Sequence, residues 1–347
     1  MNIRSTGMAL VLSAALCGCS TKLTIDAPYK EIMVVYGLLD QKDTATYVKV
    51  NKAYLGVGNA YSMAQIYDSV NYPNIITVQL QQISGSTGNL VNTITLSRDS
   101  SVPKPSGTFS APVQILYKTK TPLDSSCTYN LLITDNKTHN TVTGSTQLIS
   151  GFSVTQPFES GGYLNFANSA LPLRIAWNCA QNGVVYTITL RFYYYELNLT
   201  THVTTKKHLD WIMPNQIAPQ GSAGLPMFIT INGPSFYQFL ESELSPLNSN
   251  TNRYVGNPGA SDTTSIVDLI FDIGTQDLNT YISVSQPTNS ITQNQPSFSD
   301  ILPAKTGYGL FTARFHTVMT PNFLSPSSLD SLYFGAQTNA LFSGSYY

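Results

Sequence analysis

The longest alternating run in the chain is VVYTITLRFYYYELNL at residues 184–199. It places Tyr186, Ile188, Leu190, Phe192 and Tyr194 on one side and Thr187, Thr189, Arg191, Tyr193 and Tyr195 on the other. Period two is the repeat of a strand, whose successive side chains point to opposite faces; a helix would scatter those five apolar residues around its axis. The same repeat pairs Val48 with Val50, Val78 with Leu80 and Ile94 with Leu96, and it aligns Tyr129, Leu131 and Ile133. Adding IMVVYGL, TFSAPVQILY and NTVTGSTQL brings the expected strands between residues 30 and 148 to about seven. Turn signals such as Gly85-Ser86-Thr87-Gly88 and Asp135-Asn136 separate several of them. That count and spacing predict an Ig-like or fibronectin-like β-sandwich over residues 30–150.

The pattern pauses at SGFSVTQP, residues 150–157, where a domain boundary is expected. Beyond it, THVTTKKHLDWI is a hairpin partner for the long alternating run, and SIVDLIFDIG, NTYISVSQ and TGYGLFTARFHTV read as further strands. PSFYQFLESEL reads as a helix, with Ser235 and Gln238 as a capping box and Phe236, Phe239, Leu240 and Leu244 on one face. The expectation is all-β: two β-sandwich domains in series, residues 30–150 and 151–347, the second with at least one short helix. At 347 residues the length suits two medium domains. One stretch of the first half, Gly56 to Pro73, fits no strand. A short helix over Ala60 to Val70 is expected there, either as a functional insertion or as cover for an open sheet edge.

Charged residues make up only 11% of the chain, against about 25% in ordinary domains, and Tyr occurs 21 times. Disorder calls for the opposite composition. Net charge is −1, and Lys206-Lys207 is the nearest thing to a basic stripe, so a nucleic-acid partner is not expected. At the N-terminus, Arg4 precedes an apolar stretch from Met8 to Leu16, which is a secretory signal over residues 1–18 and too short for a membrane span. Leu16-Cys17-Gly18-Cys19 resembles the bacterial lipoprotein box. The resemblance implies cleavage before Cys19, acylation of its sulfur, and a lipidated tether over residues 19–29. Two or three acyl chains make such an anchor effectively permanent, since each buried methylene contributes about 0.8 kcal/mol. Ser20 rather than Asp after the cysteine points to the outer membrane, on either its periplasmic or its surface face. Cys127 and Cys179 fall in different expected domains, so two buried free thiols are expected over a bridge.

A search for chemistry finds little. His139, His202, His208 and His316 lack the spacing of a zinc helix, and no nucleophile elbow or phosphate loop occurs. Asp268 and Asp272 lie on one face of an expected strand, about 13 Å apart and too far for a glycosidase pair; Asp262 adds no calcium-loop spacing. No catalytic residue, metal site or cofactor is expected, and the chain is read as a non-enzyme. The candidate binding surface is Arg191, Tyr193 and Tyr195: an exposed platform for a partner protein or a sugar ring, or core if another element covers it.

The lipoprotein box, VVYGLLD, VKVNKAYLGVGNAY, CTYNLLITD and FSDILPAKTGYGLFTARF together resemble an uncharacterised family of Bacteroidota outer-membrane lipoproteins. These carry an N-terminal Ig-like domain and are often encoded near TonB-dependent receptors. The resemblance implies an envelope lipoprotein that binds or scaffolds a protein partner, or captures a carbohydrate or other nutrient for an outer-membrane transporter. It brings no active-site residues with it.

Overall fold

The structure is a computed structural model and describes residues 32–53, 59–157, 162–219, 221–256, 266–285 and 297–343. The signal peptide, Cys19, the tether, Gly56 to Gly58 and Asp262 lie outside the described residues. The chain is mostly β, with 46% of it in strands. Its first half runs β1 (Ile32–Leu39), β2 (Thr46–Ala53), α1 (Ala60–Ala64), α2 (Tyr67–Val70), β3 (Ile76–Ser84), β4 (Leu90–Asp99), β5 (Leu116–Thr119), β6 (Cys127–Asp135) and β7 (Thr141–Gln147). Strands β1, β2 and β5 form one layer and β4, β3, β6 and β7 the other. Strand β4 passes between the layers: up to Leu96 it pairs with β3, and Ser97 to Asp99 pair with β5. The alternating residues fill the space between, with Val35, Val48, Val78, Leu80, Tyr129, Leu131 and Ile133 all buried.

The second half continues with β8 (Ser153–Gln156), β9 (Tyr163–Leu164), β10 (Leu173–Asn178), β11 (Val185–Asn198), β12 (Thr204–Ile212), β13 (Gln216–Ile217) and β14 (Pro226–Ile231). There follow α3 (Gly233–Glu243), β15 (Thr251–Tyr254), β16 (Val267–Gly274), α4 (Gln276–Ser285), β17 (Gly307–Leu324) and α5 (Pro326–Phe334). Strands β12, β11, β16 and β17 lie side by side, and β14, β10 and β8 form a smaller sheet. Trp177 of β10 packs on Tyr186 of β11 and Phe271 of β16, with ring centroids 5.6 and 6.2 Å apart, so the two sheets face each other. Helix α3 adds Phe236, stacked on Phe166 at 4.2 Å.

Strand β17 belongs to both halves. Gly307 to Ala313 pair in parallel with β1, while Arg314 onward pairs antiparallel with β16. Just before it, Leu302 bridges to Thr143 of β7, and Asp300 accepts the Phe311 N–H at 2.9 Å. Residues 307–313 therefore pair with a strand of the first half, across the boundary expected at residue 150. Such a long-range parallel pairing leaves no local signature, because it needs no turn.

Four local expectations also change. Of the expected strand NTYISVSQ, residues 279–285 lie in helix α4: the Thr275 hydroxyl accepts the Leu278 N–H at 3.4 Å, and Asp277 suits the positive end of the helix. TFSAPVQILY yields a strand only from Leu116; residues 100–114 form a loop. Helix α3 starts two residues before Ser235, with Pro234 in its first turn and Asn232 at the cap, so the Ser235–Gln238 box does not form. The pause at 150–157 contains strand β8. Cys127 and Cys179 are buried and free.

Burial, reinforced by the negative charge of Asp277, raises the Asp300 carboxyl to about 6. A carboxyl that is less acidic in the folded state disfavours folding once it ionises. Its effect is absent below the ordinary carboxylate range and grows until the pH passes about 6. Asp300→Asn keeps an acceptor for the Phe311 N–H. It is expected to be the more stable form at pH 7 by about 1 kcal/mol, after allowance for solvent, and level with the parent near pH 4. Urea titrations at both pH values check this.

Candidate functional site

The sequence-derived surface forms as a face but not as an open platform. On β11, Tyr186, Ile188, Leu190, Phe192 and Tyr194 are buried, and Arg191, Tyr193 and Tyr195 share the opposite, half-buried face. There Arg191 and Tyr193 are both engaged by side chains of neighbouring strands. Arg191 forks onto Asp210 of β12 at 2.6 and 2.7 Å, and that hydrogen-bonded pairing raises its pKa further. The Tyr193 hydroxyl donates to Asp268 at 2.8 Å, and Lys206 stands 4.5 Å above the Tyr193 ring. Arg191 is thus neutralised, and Tyr193 is used on its edge and its face. Asp272 is on the same strand as Asp268 and meets His316 at 2.7 Å. His139 and His202 occupy turn positions with φ of 60° and 55°.

A more open site lies on the first sandwich. Strand β1 is apolar on both sides: Met33, Val35 and Leu39 face the core, while Val34, Tyr36 and Leu38 face outward. Outward apolar residues on an inner strand mark a face that another element covers. Here the cover is partial. Helices α1 and α2 and the loop 100–114 stand over β1 and β2 and enclose a cleft of about 430 Å³. The roof is tied down by hydrogen bonds. Asn51 of β2 donates to the Val70 carbonyl at 2.8 Å, the Ser110 N–H to the Ala64 carbonyl at 2.8 Å, and Gln65 to the Gly107 carbonyl at 3.1 Å. Asn59 caps α1, accepting the Tyr61 N–H at 2.9 Å.

Val34, Ala64, Val70, Phe109 and Val113 make the apolar wall of this cleft, and Lys49, Lys52 and Lys104 line it too. No acidic side chain is among its described lining residues, and none of the three lysines forms an ion pair among the described residues. Lys49 donates to the Gln114 side-chain oxygen at 3.2 Å, Lys104 to the Phe109 carbonyl at 3.1 Å, and Lys52 to the Asp68 carbonyl. Burial and the neighbouring charge of Lys104 lower the pKa of Lys49.

Tyr36 also borders a second hollow of about 420 Å³, between β1 and helix α4. Its ring meets Tyr281 edge-on at 6.3 Å; burial and the hydrogen bond to Tyr281 raise its pKa. Arg314 and Asp43 pair at 3.1 Å among the residues lining that hollow. A third, more polar hollow of about 530 Å³ is lined by Gln147, Gln181, Asn182 and Ser222 from both halves and carries no cation among its lining residues.

Sequence reasoning singled out the stretch 56–73 and missed the lysines. The missed signal is in VVYGLLD: a strand of a one-sided sandwich should show polar residues where Val34, Tyr36 and Leu38 stand. Among the described residues, no helix is long and apolar enough to cross a membrane.

Residue for residue, this is an all-β protein with a lysine-lined, partly roofed apolar face. No protein-family model matches the chain, and no curated protein matches it. Among solved structures, a crystal structure of CBD12 from CALX1.2 aligns at 9% identity, over 84% of this chain and 100% of that one, with a TM-score of 0.15. Similarity at that level carries no argument.

Proposed function

We propose that this chain is an outer-membrane-anchored lipoprotein with a non-enzymatic binding or scaffold role towards an envelope protein partner. It is built as two β-sandwiches in series, the first Ig-like, joined by β17. The lipoprotein box at Leu16 to Cys19 supports the anchor. The observation that carries the binding role is the outward face of β1, where Tyr36 and Leu38 are more than a third exposed beside Tyr308 of β17. Contiguous apolar surface left open on a sheet is the usual mark of an interaction site. A second reading, capture of a small nutrient for an outer-membrane transporter, is favoured by the lysine-lined cleft on the same face.

Cys19→Ser is expected to abolish membrane retention, leaving uncleaved or soluble protein in cell fractionation. Unchanged retention, or a mature chain that starts elsewhere by mass analysis, overturns the anchor. A photo-reactive residue at Leu38 is expected to trap one envelope protein in native membranes. Its failure to trap any, while the chain is folded and anchored, counts against the partner.

A further inference from the structure

The roof over β1 and β2 is held by Asn51, Gln65 and Ser110, and Lys49 and Lys52 of β2 add contacts to it, at the Gln114 side chain and the Asp68 carbonyl. Each ammonium has three donors, and the acceptors named above for Lys49, Lys52 and Lys104 leave donors over. Lys49 and Lys104 are close enough to repel, with no acidic side chain among the described lining residues to offset them. Cations gathered beside an apolar wall, with no carboxylate paired to them among the described residues, are set up for charge supplied from outside. An anion is drawn to such a place, and the low-dielectric wall strengthens the attraction. The volume falls within the range of small-molecule sites, whose walls are mostly apolar with a few placed polar groups.

We propose that this cleft binds an amphipathic anion, with a carboxylate or phosphate head held by Lys49, Lys52 and Lys104 and an apolar body against Val34, Val70 and Phe109. Lys49 and Lys104 grip the head from the strand and from the loop opposite. Phe109 is 56% exposed and gains cover from the ligand body. The inference rests on the capture reading of this face.

The test is calorimetric titration of the full-length chain with four probes that share one apolar body: 4-phenylbutyrate, 4-phenylbutyl phosphate, 4-phenylbutanol and 4-phenylbutylamine. Both anions are expected to bind at least about tenfold more tightly than the alcohol or the amine, and the better of the two identifies the head group. Lys49→Met with Lys104→Met is expected to weaken the anions about tenfold or more while the chain keeps its circular dichroism spectrum, since the bonds from Asn51, Gln65 and Ser110 to the roof remain. Ala64→Trp, which fills the cleft without touching a charge, is expected to abolish binding of all four. Equal affinity for alcohol and acid, no binding of either anion, or anion binding that survives the double lysine variant overturns the proposal. The cross-link from Leu38 separates the two failures. A trapped protein with no anion bound removes this inference and leaves the partner reading; a bound anion with nothing trapped does the reverse.

Discussion

Gly309→Ala is expected to cost at least about 4 kcal/mol and to destabilise both halves of the chain together. Gly309 has φ of +131°, in a region closed to residues with a side chain. A Cβ there would stand 1.9 Å from the Val35 carbonyl oxygen of β1. Backbone cannot yield as a flexible side chain can, so β17 must leave β1 or shift its register. Either change moves Phe311, fully buried in the first sandwich, and Phe315, buried next to Phe152. The two tryptophans, Trp177 and Trp211, both lie in the second half, so their fluorescence reports that half, while circular dichroism reports all strands. Urea unfolding followed by both signals is expected to shift to lower denaturant in step. A tryptophan transition that stays at the parent midpoint would show that the halves unfold independently.

Arg253→Ala is expected to cost about 3 kcal/mol or more. Arg253 is 6% exposed. Its guanidinium donates to Glu196 at 2.8 and 3.1 Å, to the Leu341 carbonyl at 2.9 Å and to the Ser245 carbonyl at 3.2 Å. It also lies 5.5 Å from the Tyr194 ring centroid. Truncation leaves Glu196 with Lys207 alone and strips two carbonyls of a partner. Arg253→Lys is expected to recover little, because one ammonium cannot reproduce a planar fork that spans three acceptors. Urea titration gives the loss. Hydrogen exchange of Leu341 and Ser343, whose N–H groups donate to the Thr338 and Arg253 carbonyls, is expected to accelerate first. Equal stability of the lysine and arginine forms would contradict the account.

Elements whose cause is local were legible in the sequence. Val48 and Val50, Leu131 and Ile133, and the Tyr186–Tyr194 face are buried as their period requires, because a strand with one face in a core has no alternative register. The helix at Phe236 and Leu240 was legible for the same reason. What escaped depends on partners distant in the chain. Nothing near Gly307 announces that it lies beside Met33. Residues 279–285 have the composition of a strand, yet the Thr275 and Asp277 start makes them a helix against the sheet. Of the site, the interruption from Gly56 to Pro73 was visible as a break in pattern, and Arg191, Tyr193 and Tyr195 share one face of β11 as their alternation requires. Their mutual pairing with Asp210, Asp268 and Lys206 was not readable, since it joins three strands. Lys49, Lys52 and Lys104 look like ordinary surface charges until the loop 100–114 folds over them.

The dual membership of β17 has a consequence for how such a chain is made. A protein synthesised or exported from its N-terminus presents β1 long before Gly307 to Ala313 emerge, so that strand waits with one side unpaired. An unpaired apolar edge is prone to join the wrong neighbour. The nascent chain therefore depends on rapid delivery of about its last eighth, and a prematurely terminated product is a natural substrate for proteases.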